Sequence, residues 1–513
     1  MLAATPLLRL YAKWRARAMT RDQAASLQRD ELLRLVRRAA KTQFGRDHGF
    51  DTIRSVEDYQ ARVPLRTYDD FWRDYWGEPF PHLVDCTWPG PTRYFARTSG
   101  TTTGVTKFIP FSDEMLSANI RAAWDILFFH LRNRPQSQVL GGKCFMLGGS
   151  TDLQLEAPGI HSGDISGIEA KELPWWGRRY AFPPLDVALL TDWEEKIKRI
   201  AALSLSEDIR AIGGTPNWLL IYFDELAALR PDLAPQLANF FPKLELMVHG
   251  GIDFKPYAQR FHELLQGSDA ELREVYPASE AFIAIADRSS GEGLRMLLDN
   301  GAFFEFVPLS ELTAVQPTRH WAGTIETGVN YAIVLSTCAG AWSYILGDTV
   351  TFIGLDPPRL LVTGRTTYVL SAFGEHVIAA EIEQAIAKAA EEIRAAVTDY
   401  CVSATLPEGE EASGHHHFVV ETAQPVPEAA RRGLFASALD RHLAAVNEDY
   451  ATHRSGDFGL QPPVVTFAPA GSFAAWMKRR DKLGGQHKVP RVIRDPALFE
   501  DVLASIGVTK ETI

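Results

Sequence analysis

Residues 97–107, Arg-Thr-Ser-Gly-Thr-Thr-Thr-Gly-Val-Thr-Lys, bring together the side chains most suited to holding a phosphate. Glycine permits positive φ and lets a ligand approach the backbone closely. Consecutive backbone N–H groups and Ser/Thr hydroxyls then form a concave set of donors, to which Lys107 adds a compact positive charge. The spacing is not that of a Walker loop. Val105 and Thr106 separate Gly104 from Lys107, and Phe108 stands where a Ser or Thr is required. A P-loop NTPase is therefore disfavoured, and the bland alternative is a solvated Gly/Thr turn.

Four other places carry related chemistry. Tyr276-Pro277-Ala278-Ser279-Glu280 follows an apolar run. A carboxylate at a strand end can hold Mg²⁺ bridging ATP phosphates, and Tyr276 can stack on adenine. Taken alone, Glu280 reads as easily as a capping or surface residue. Gly347-Asp348 places a carboxylate where it can accept both ribose hydroxyls, against the plain reading of a turn Asp. In Gly364-Arg365-Thr366-Thr367 the arginine can reach nucleotide hydroxyls or phosphates, and the glycine allows a hinge. Gly484-Gly485-Gln486-His487-Lys488-Val489-Pro490 puts Lys488 on a loop bounded by glycines and a proline. Two other features read structurally. His415-His416-His417 has consecutive spacing, whereas zinc ligands must converge, so it is expected as a loop leading into a strand. Trp175-Trp176 is expected as core or lid packing.

The elements that must position these residues alternate between strand and helix. Leu27, Leu32, Leu33, Leu35 and Val36 recur at helical spacing within residues 21–44, with Gly45 as the stop. Residues 47–50 and 63–68 read as ordered loops. Tyr94-Phe95-Ala96 leads into the phosphate loop, Phe108-Ile109-Pro110 is extended, and Ser112 caps a helix through Leu127 with Asp113 and Glu114 in its first turn. Residues 144–147, 209–212, 244–248, 274–276, 282–286, 303–307, 331–337, 344–348 and 350–353 read as strands, and 217–229 as a helix. The segment 160–184 is poor in periodic signal and could line a substrate site or cover one. This alternation predicts α/β architecture with mixed and substantially parallel sheets in a large N-terminal domain, residues 1–365. Beyond it, helix 379–397, strands 399–406, 417–421 and 464–468 and helix 428–446 predict a smaller mobile α+β domain, residues 366–513, with helices on one face of an antiparallel sheet.

The composition suits a multidomain globular chain: 513 residues, 46% hydrophobic and 23% charged. A net charge of −11 gives no reason to expect nucleic-acid binding. No run reaches the roughly 18 apolar residues of a membrane helix. Cys86, Cys144, Cys338 and Cys401 lack Cys-x-x-Cys spacing and read as reduced thiols in a cytoplasmic protein. Near the N-terminus, Arg9, Lys13, Arg15 and Arg17 lie among Leu7, Leu8, Leu10, Tyr11 and Trp14 rather than ahead of them, unlike a signal peptide. The expected element is an amphipathic helix packed on the domain, with membrane-surface attachment as the lesser alternative.

The order phosphate loop, Tyr-x-x-Ser-Glu, Gly-Asp, Gly-Arg and late lysine resembles the adenylate-forming superfamily of acyl-CoA synthetases, peptide-synthetase adenylation domains and luciferases. More closely, the chain resembles the auxin-responsive-promoter family of acyl acid–amido synthetases. Residues 42–50 (Thr-Gln-Phe-Gly-Arg-Asp-His-Gly-Phe), 303–308 (Phe-Phe-Glu-Phe-Val-Pro) and 486–491 (Gln-His-Lys-Val-Pro-Arg) carry that closer likeness over nearly the full length. The resemblance implies a two-step ligase. A carboxylic acid and Mg-ATP give an acyl-adenylate and pyrophosphate, and an amino acid's amine then displaces AMP. It implies that Ser99, Gly100, Thr101, Thr102, Thr103 and Lys107 hold phosphates and that Tyr276 and Ser279 lie near the adenosine. Glu280 is implied as the Mg²⁺ ligand, Asp348 as the ribose ligand and Arg365 as a nucleotide contact at the hinge. Lys488 would enter with the small domain, and the protein is expected to be a monomer without a membrane span. The loop lysine and Pro277 vary from the best-known members, and Thr367 replaces the hinge Asp frequent in the superfamily. The competing readings are an acyl-CoA synthetase, which ends on a thiol, and a non-catalytic binding protein on the same fold.

Overall fold

The computed structural model describes all residues except 1–4, 20–22, 100–105, 149–152, 191, 252–253, 255–256, 289–290, 367–376, 406–413, 427–428, 448–449, 452–453, 455–459, 481–488, 494 and 509–513. The expectations for Gly100, Thr101, Thr102, Thr103, Thr367 and Lys488 therefore fall outside the described residues. The chain divides into two compact units. The larger comprises Met1–Thr98, Thr106–Leu346 and Val350–Leu361, and the smaller comprises Ser99–Val105, Gly347–Thr349 and Val362–Ile513.

Up to residue 365 the strands are β1 (Tyr94–Ser99), β2 (Thr106–Phe111), β3 (Lys143–Leu147), β4 (Gln154–Ala157), β5 (Ile160–Gly163), β6 (Ala181–Phe182), β7 (Ile209–Gly214) and β8 (Leu246–Gly250). They continue with β9 (Glu271–Pro277), β10 (Phe282–Ile285), β11 (Leu294–Met296), β12 (Ala302–Pro308), β13 (His320–Trp321), β14 (Asn330–Thr337), β15 (Tyr344–Leu355) and β16 (Pro358–Arg365). Twelve of them form one sheet in the order β13-β12-β14-β15-β16-β11-β10-β9-β8-β7-β3-β6. At one side β6, β3, β7, β8 and β9 run parallel, and beyond β9 the pairs with β10, β11 and β16 are antiparallel. The second sheet has the order β2-β1-β5-β4, with β1 parallel to β5.

The parallel strands are covered on both faces, which is why they read as continuous apolar runs rather than alternating ones. On β8, Leu246 and Val248 pack with Ala122, Ile126 and Phe129 of helix Asp113–Asn133. Met247 points the other way, into Ile197 and Ile200 of helix Trp193–Ser204 and Leu219, Phe223 and Leu226 of helix Pro216–Leu229. Burying each such side chain contributes about 1.5–3 kcal/mol. Ser112 caps helix Asp113–Asn133 by accepting from the Met115 N–H at 3.0 Å. That helix runs six residues beyond the expected end at Leu127 because Phe128, Phe129, His130 and Leu131 are all buried.

Near the N-terminus, helix Thr5–Met19 packs on helix Asp113–Asn133 through buried Leu8 and through Arg15, which pairs with Asp125 at 2.7 Å and Asp299 at 2.5 Å. Helix Ala24–Ala39 ends ahead of Gly45, which is not its stop as expected but lies inside a new short helix, Gln43–Asp47, capped by Thr42. Its Oγ accepts the Gly45 N–H at 3.0 Å. A Cβ on Gly45 would lie 2.2 Å from the Ala39 carbonyl oxygen, so only glycine fits between these helices. Residues 344–348 and 350–353, expected as two strands, form the single strand β15.

The small unit contains β17 (Val397–Thr405), β18 (His415–Thr422) and β19 (Val464–Ala468). β17 pairs antiparallel to β18, but β19 pairs parallel to it, so the sheet is mixed rather than antiparallel. Helix Ala429–Val446 lies between β18 and β19 in the chain and supplies the crossover that a parallel pair needs. Helix Ala379–Ile393 ends four residues before the expected Val397, because Arg394 takes a left-handed conformation and Val397 is already strand. The three histidines are not in a loop. They open β18, with His416 and His417 buried and the His417 ring 2.8 Å from Thr466 Oγ1. Trp175 is not core either, being 84% exposed.

Candidate active site

The Tyr-Pro-Ala-Ser-Glu stretch turns the β9–β10 hairpin. Tyr276 pairs with Ala284 and Pro277 with Phe282 across the antiparallel strands, and the Ala278 N–H donates to the Ala281 carbonyl at 2.9 Å. Ser279 and Glu280 are thereby held in a tight turn at the carboxyl end of a strand whose other neighbour is the parallel strand β8. Open α/β sheets bind ligands beyond such strand ends. Glu280 is only 7% exposed, a partly desolvated hard-oxygen donor of the kind Mg²⁺ accepts alongside substrate phosphates and water. Tyr276 is 8% exposed and belongs to the main core, so most of its ring is already covered by protein.

Asp348 and Arg365, read separately from the sequence, meet. Strands β15 and β16 fold back on each other, with Thr363 Oγ1 2.9 Å from Thr349 Oγ1 and the Thr366 N–H donating to the Gly347 carbonyl at 2.8 Å. Gly347 has φ 91°, a conformation that strains any other residue, and this kink sits next to the aspartate. Arg365 Nε lies 2.9 Å from Asp348 Oδ1, an ion pair in which the N–H is not aimed along the contact. The side chains are 33% and 18% exposed, respectively.

Lys107 stands on β2 with its ammonium 5.3 Å from the centre of the Tyr68 ring. The Tyr68 hydroxyl accepts the Phe108 N–H at 3.0 Å, and burial pushes its pKa up to about 12. Tyr68 itself opens a helical turn fixed by a reciprocal cap between Thr67 and Asp70. Ser99, the first of the residues the sequence marks for phosphate, is the last residue of β1.

Sequence reasoning missed several residues. Asp164 follows β5, and its carboxyl has an oxygen shut off from solvent with no hydrogen bond among the described residues. Lys196, on helix Trp193–Ser204, is 2% exposed. His249, at the end of β8, is 1% exposed, stacks on Phe254 at 3.8 Å, and has no hydrogen bond at either ring nitrogen among the described residues. Burial lowers its pKa to about 4. None stands in a recognisable local pattern, so no sequence signal could have found them. Two stretches of the family resemblance prove architectural. Phe44 of residues 42–50 is buried and stacks on His48 at 4.0 Å. Glu305 of residues 303–308 is fully buried, accepts from Arg319 Nε and Nη2 at 2.9 Å each and from Gln60 Nε2 at 2.9 Å, and contacts Ser343.

The fold is shared with solved enzymes. An acyl acid amido synthetase, AtGH3.15, in complex with 2,4-DB superposes with a TM-score of 0.78 at 18% identity, over 94% of each chain. 2-Hydroxyisobutyryl-CoA ligase in the postadenylation state superposes at 0.60 with 16% identity, over 94% of this chain and 92% of that one. One is named a synthetase and the other a ligase, and this chain shares their fold. The chain belongs to the GH3 family: its N-terminal domain model matches residues 15–184, its central domain model 295–365 and its C-terminal domain model 380–497. Among curated relatives, a probable indole-3-acetic acid-amido synthetase of Oryza sativa subsp. japonica is 25% identical over 246 residues, 44% of this chain. A jasmonoyl–L-amino acid synthetase of Nicotiana attenuata is 20% identical over 420 residues, 69% of this chain. The match spans about half of the rice protein, 54%, and 71% of the tobacco protein.

Proposed function

We propose that this chain is an ATP-dependent acyl acid–amido synthetase. The observation that carries the reading is membership of the GH3 family through all three of its domain models, with relatives named as amido synthetases. In the first step a carboxylate oxygen attacks the α-phosphorus of ATP and pyrophosphate leaves. In the second an amino acid's amine attacks the acyl carbon and AMP leaves. Adenylation replaces a poor leaving group with a good one, and the protein's share is positioning and charge stabilisation.

In this reading Ser99, Gly100, Thr101, Thr102, Thr103 and Lys107 hold phosphates, Tyr276 and Ser279 flank the adenosine, Asp348 accepts the ribose hydroxyls and Arg365 contacts the nucleotide. Magnesium, when bound, offsets phosphate charge, and Glu280 would hold it. The buried turn carboxylate suits that role, since Mg²⁺ keeps several waters and takes few protein ligands. Lys488 belongs to the small domain, residues 366–513, which in this reading moves about Gly364-Arg365 relative to residues 1–365. The free cysteines, three of them buried, favour a cytoplasmic protein. Among the described residues no helix is long and apolar enough to cross a membrane, and we take the protein to act as a monomer.

The test is a screen of carboxylic acids, indole-3-acetic and jasmonic acids included, against amino acids and coenzyme A. Acid-dependent pyrophosphate release with an amide product detected by mass supports the reading. A thioester in place of an amide assigns the chain to the acyl-CoA synthetases, and no acid-dependent release with any acid sets the ligase reading aside.

A further inference from the structure

We propose that helix Thr5–Met19 seats the protein reversibly on an anionic lipid surface. The proposal is independent of the ligase reading. It stands on this helix and the one it packs against, both within the larger unit.

The inner face of the helix is fixed to helix Asp113–Asn133. Thr5 and Leu8 are buried, and the Tyr11 hydroxyl donates to Asp125 Oδ1 at 2.7 Å while its ring lies 5.8 Å from that of Trp124. Arg15 also turns inward, where its charge is met by Asp125 and Asp299. A buried arginine between two carboxylates fixes the rotation of the helix about its own axis, because any other rotation leaves buried charge unpaired. The residues on the opposite side must therefore face outward.

Those residues form two lines. Leu7, Leu10 and Trp14 are 68%, 67% and 58% exposed, and their spacing of three and four places them along one edge of the helix. Arg9, Lys13 and Arg17, spaced four apart, run beside that edge, and the helix holds no acidic residue. Lys13 and Arg17 are exposed, and the half-buried Arg9 donates from Nη2 to the Pro135 carbonyl at 3.4 Å, a contact that leaves its charge in place.

A single exposed leucine is ordinary. An apolar line of Leu and Trp beside a basic line is the pattern of a helix lying in a membrane interface, where the apolar residues enter the boundary between headgroups and acyl chains and Lys and Arg reach the lipid phosphates. Three observations favour lipid over a protein partner. The apolar line exposes on the order of 400 Å², about half of the roughly 800 Å² that each partner of a stable protein pair covers. In a symmetric pair of copies the same basic lines would face each other. The chain as a whole carries a net charge of −11, so an anionic surface repels the rest of the molecule and attracts this edge, which orients the protein as well as binding it.

The experiment uses the full-length protein and extruded vesicles of phosphatidylcholine, alone or mixed with phosphatidylglycerol, with co-sedimentation read over a lipid titration. Wild type should partition onto the mixed vesicles, release as salt is raised, and bind phosphatidylcholine alone at least about tenfold less. Leu7→Gln, Leu10→Gln and Trp14→Gln combined should lower partitioning by roughly 10²-fold or more, since burying each of these partly exposed side chains is worth about tenfold. Arg9→Gln, Lys13→Gln and Arg17→Gln combined should lower it on mixed vesicles by up to about fivefold per charge, and little on phosphatidylcholine. Val315→Gln, which removes an almost fully exposed apolar residue between β12 and β13, should change nothing. Both triple variants alter outward-facing positions and should keep the wild-type midpoint in urea. If either fails that check, Trp14→Gln and Lys13→Gln alone decide, with expected losses of about tenfold and about fivefold. Absence of wild-type partitioning would overturn the proposal, as would equal binding to both kinds of vesicle or unchanged partitioning of either triple variant. Self-association that the apolar triple variant abolishes, without vesicle binding, would assign the face to a second copy of the chain and overturn it too.

Discussion

Replacing Asp348 by Ala gives the most direct test of how the nucleotide is held. A hydrogen bond to a charged group contributes about 1.5–3 kcal/mol, and a carboxylate offers about four acceptor sites, enough for an arginine and two hydroxyls. Two ribose hydroxyls taken at the lower bound amount to about 3 kcal/mol, or roughly a hundredfold in affinity at 1.4 kcal/mol per decade. Wild-type enzyme should therefore bind ATP about a hundredfold more tightly than 2′,3′-dideoxy-ATP. The substitution also removes the partner of Arg365, 2.9 Å away. With that pair one-fifth to one-third exposed, its loss is worth no more than about 1 kcal/mol, under roughly fivefold, and it falls on both nucleotides alike. The specific effect thus exceeds the shared one. In Asp348→Ala the preference for ATP should collapse to about one. Equilibrium binding is the assay, because KM mixes binding with later steps. A preference that stays near a hundredfold while both nucleotides weaken together would show that the hydroxyls are recognised elsewhere and that Asp348 only positions Arg365.

Other outcomes follow from the same geometry. Glu280→Gln keeps the shape of the turn residue but removes the charge a hard cation prefers, so adenylation should fall by one to three orders of magnitude; rates unchanged across a Mg²⁺ titration would remove Glu280 from the site. Lys488→Ala should strongly reduce acid-dependent ATP–pyrophosphate exchange while sparing amide formation from presynthesised acyl-adenylate, and equal losses would point to a role in folding or in both closed states. His130 is fully buried against Glu271 at 2.5 Å. Burial lowers its pKa, but Glu245 and Glu271 outweigh this and hold it raised; burial likewise opposes ionisation of Glu271, which His130 and Arg273 bring down to about 2. The stabilisation by His130 is complete below the unfolded value of 6.5 and is lost as pH rises through its folded value. That from Glu271 is complete above 4.5 and is lost as pH falls toward about 2. Urea unfolding should show His130→Gln losing about 1–3 kcal/mol at pH 5–6 and less at pH 8; a pH-independent difference would mean that the pair is not ionised in the folded protein.

Much of the large unit was legible in the sequence because its signals are local. The apolar strands, the Ser112 cap with Asp113 and Glu114 behind it, and the helix beginning at Pro216 depend on a few neighbouring residues. Errors gathered where distant contacts decide. The helix after Ser112 continues to Asn133 because its last turn is buried, and β19 joins its sheet parallel because a helix carries the chain across. The histidine triplet is strand because β17 pairs with it residue for residue, which spacing within the triplet cannot reveal.

The candidate site divides in the same way. Residue type and order alone picked out Lys107, Glu280, Asp348 and Arg365, since phosphate, cation and ribose chemistry each demand particular groups near glycines. Only the tertiary structure decided that Asp348 and Arg365, seventeen positions apart in number, form one pair, because the β15–β16 hairpin folds them together. It also decided that Glu305 is a buried strut for Arg319, that His249 is shut away, and that among the described residues Asp164 Oδ2 and the His249 ring nitrogens have no hydrogen bond. Burial and missing partners arise from what packs around a side chain, and in these three cases that is assembled from segments far apart in the chain.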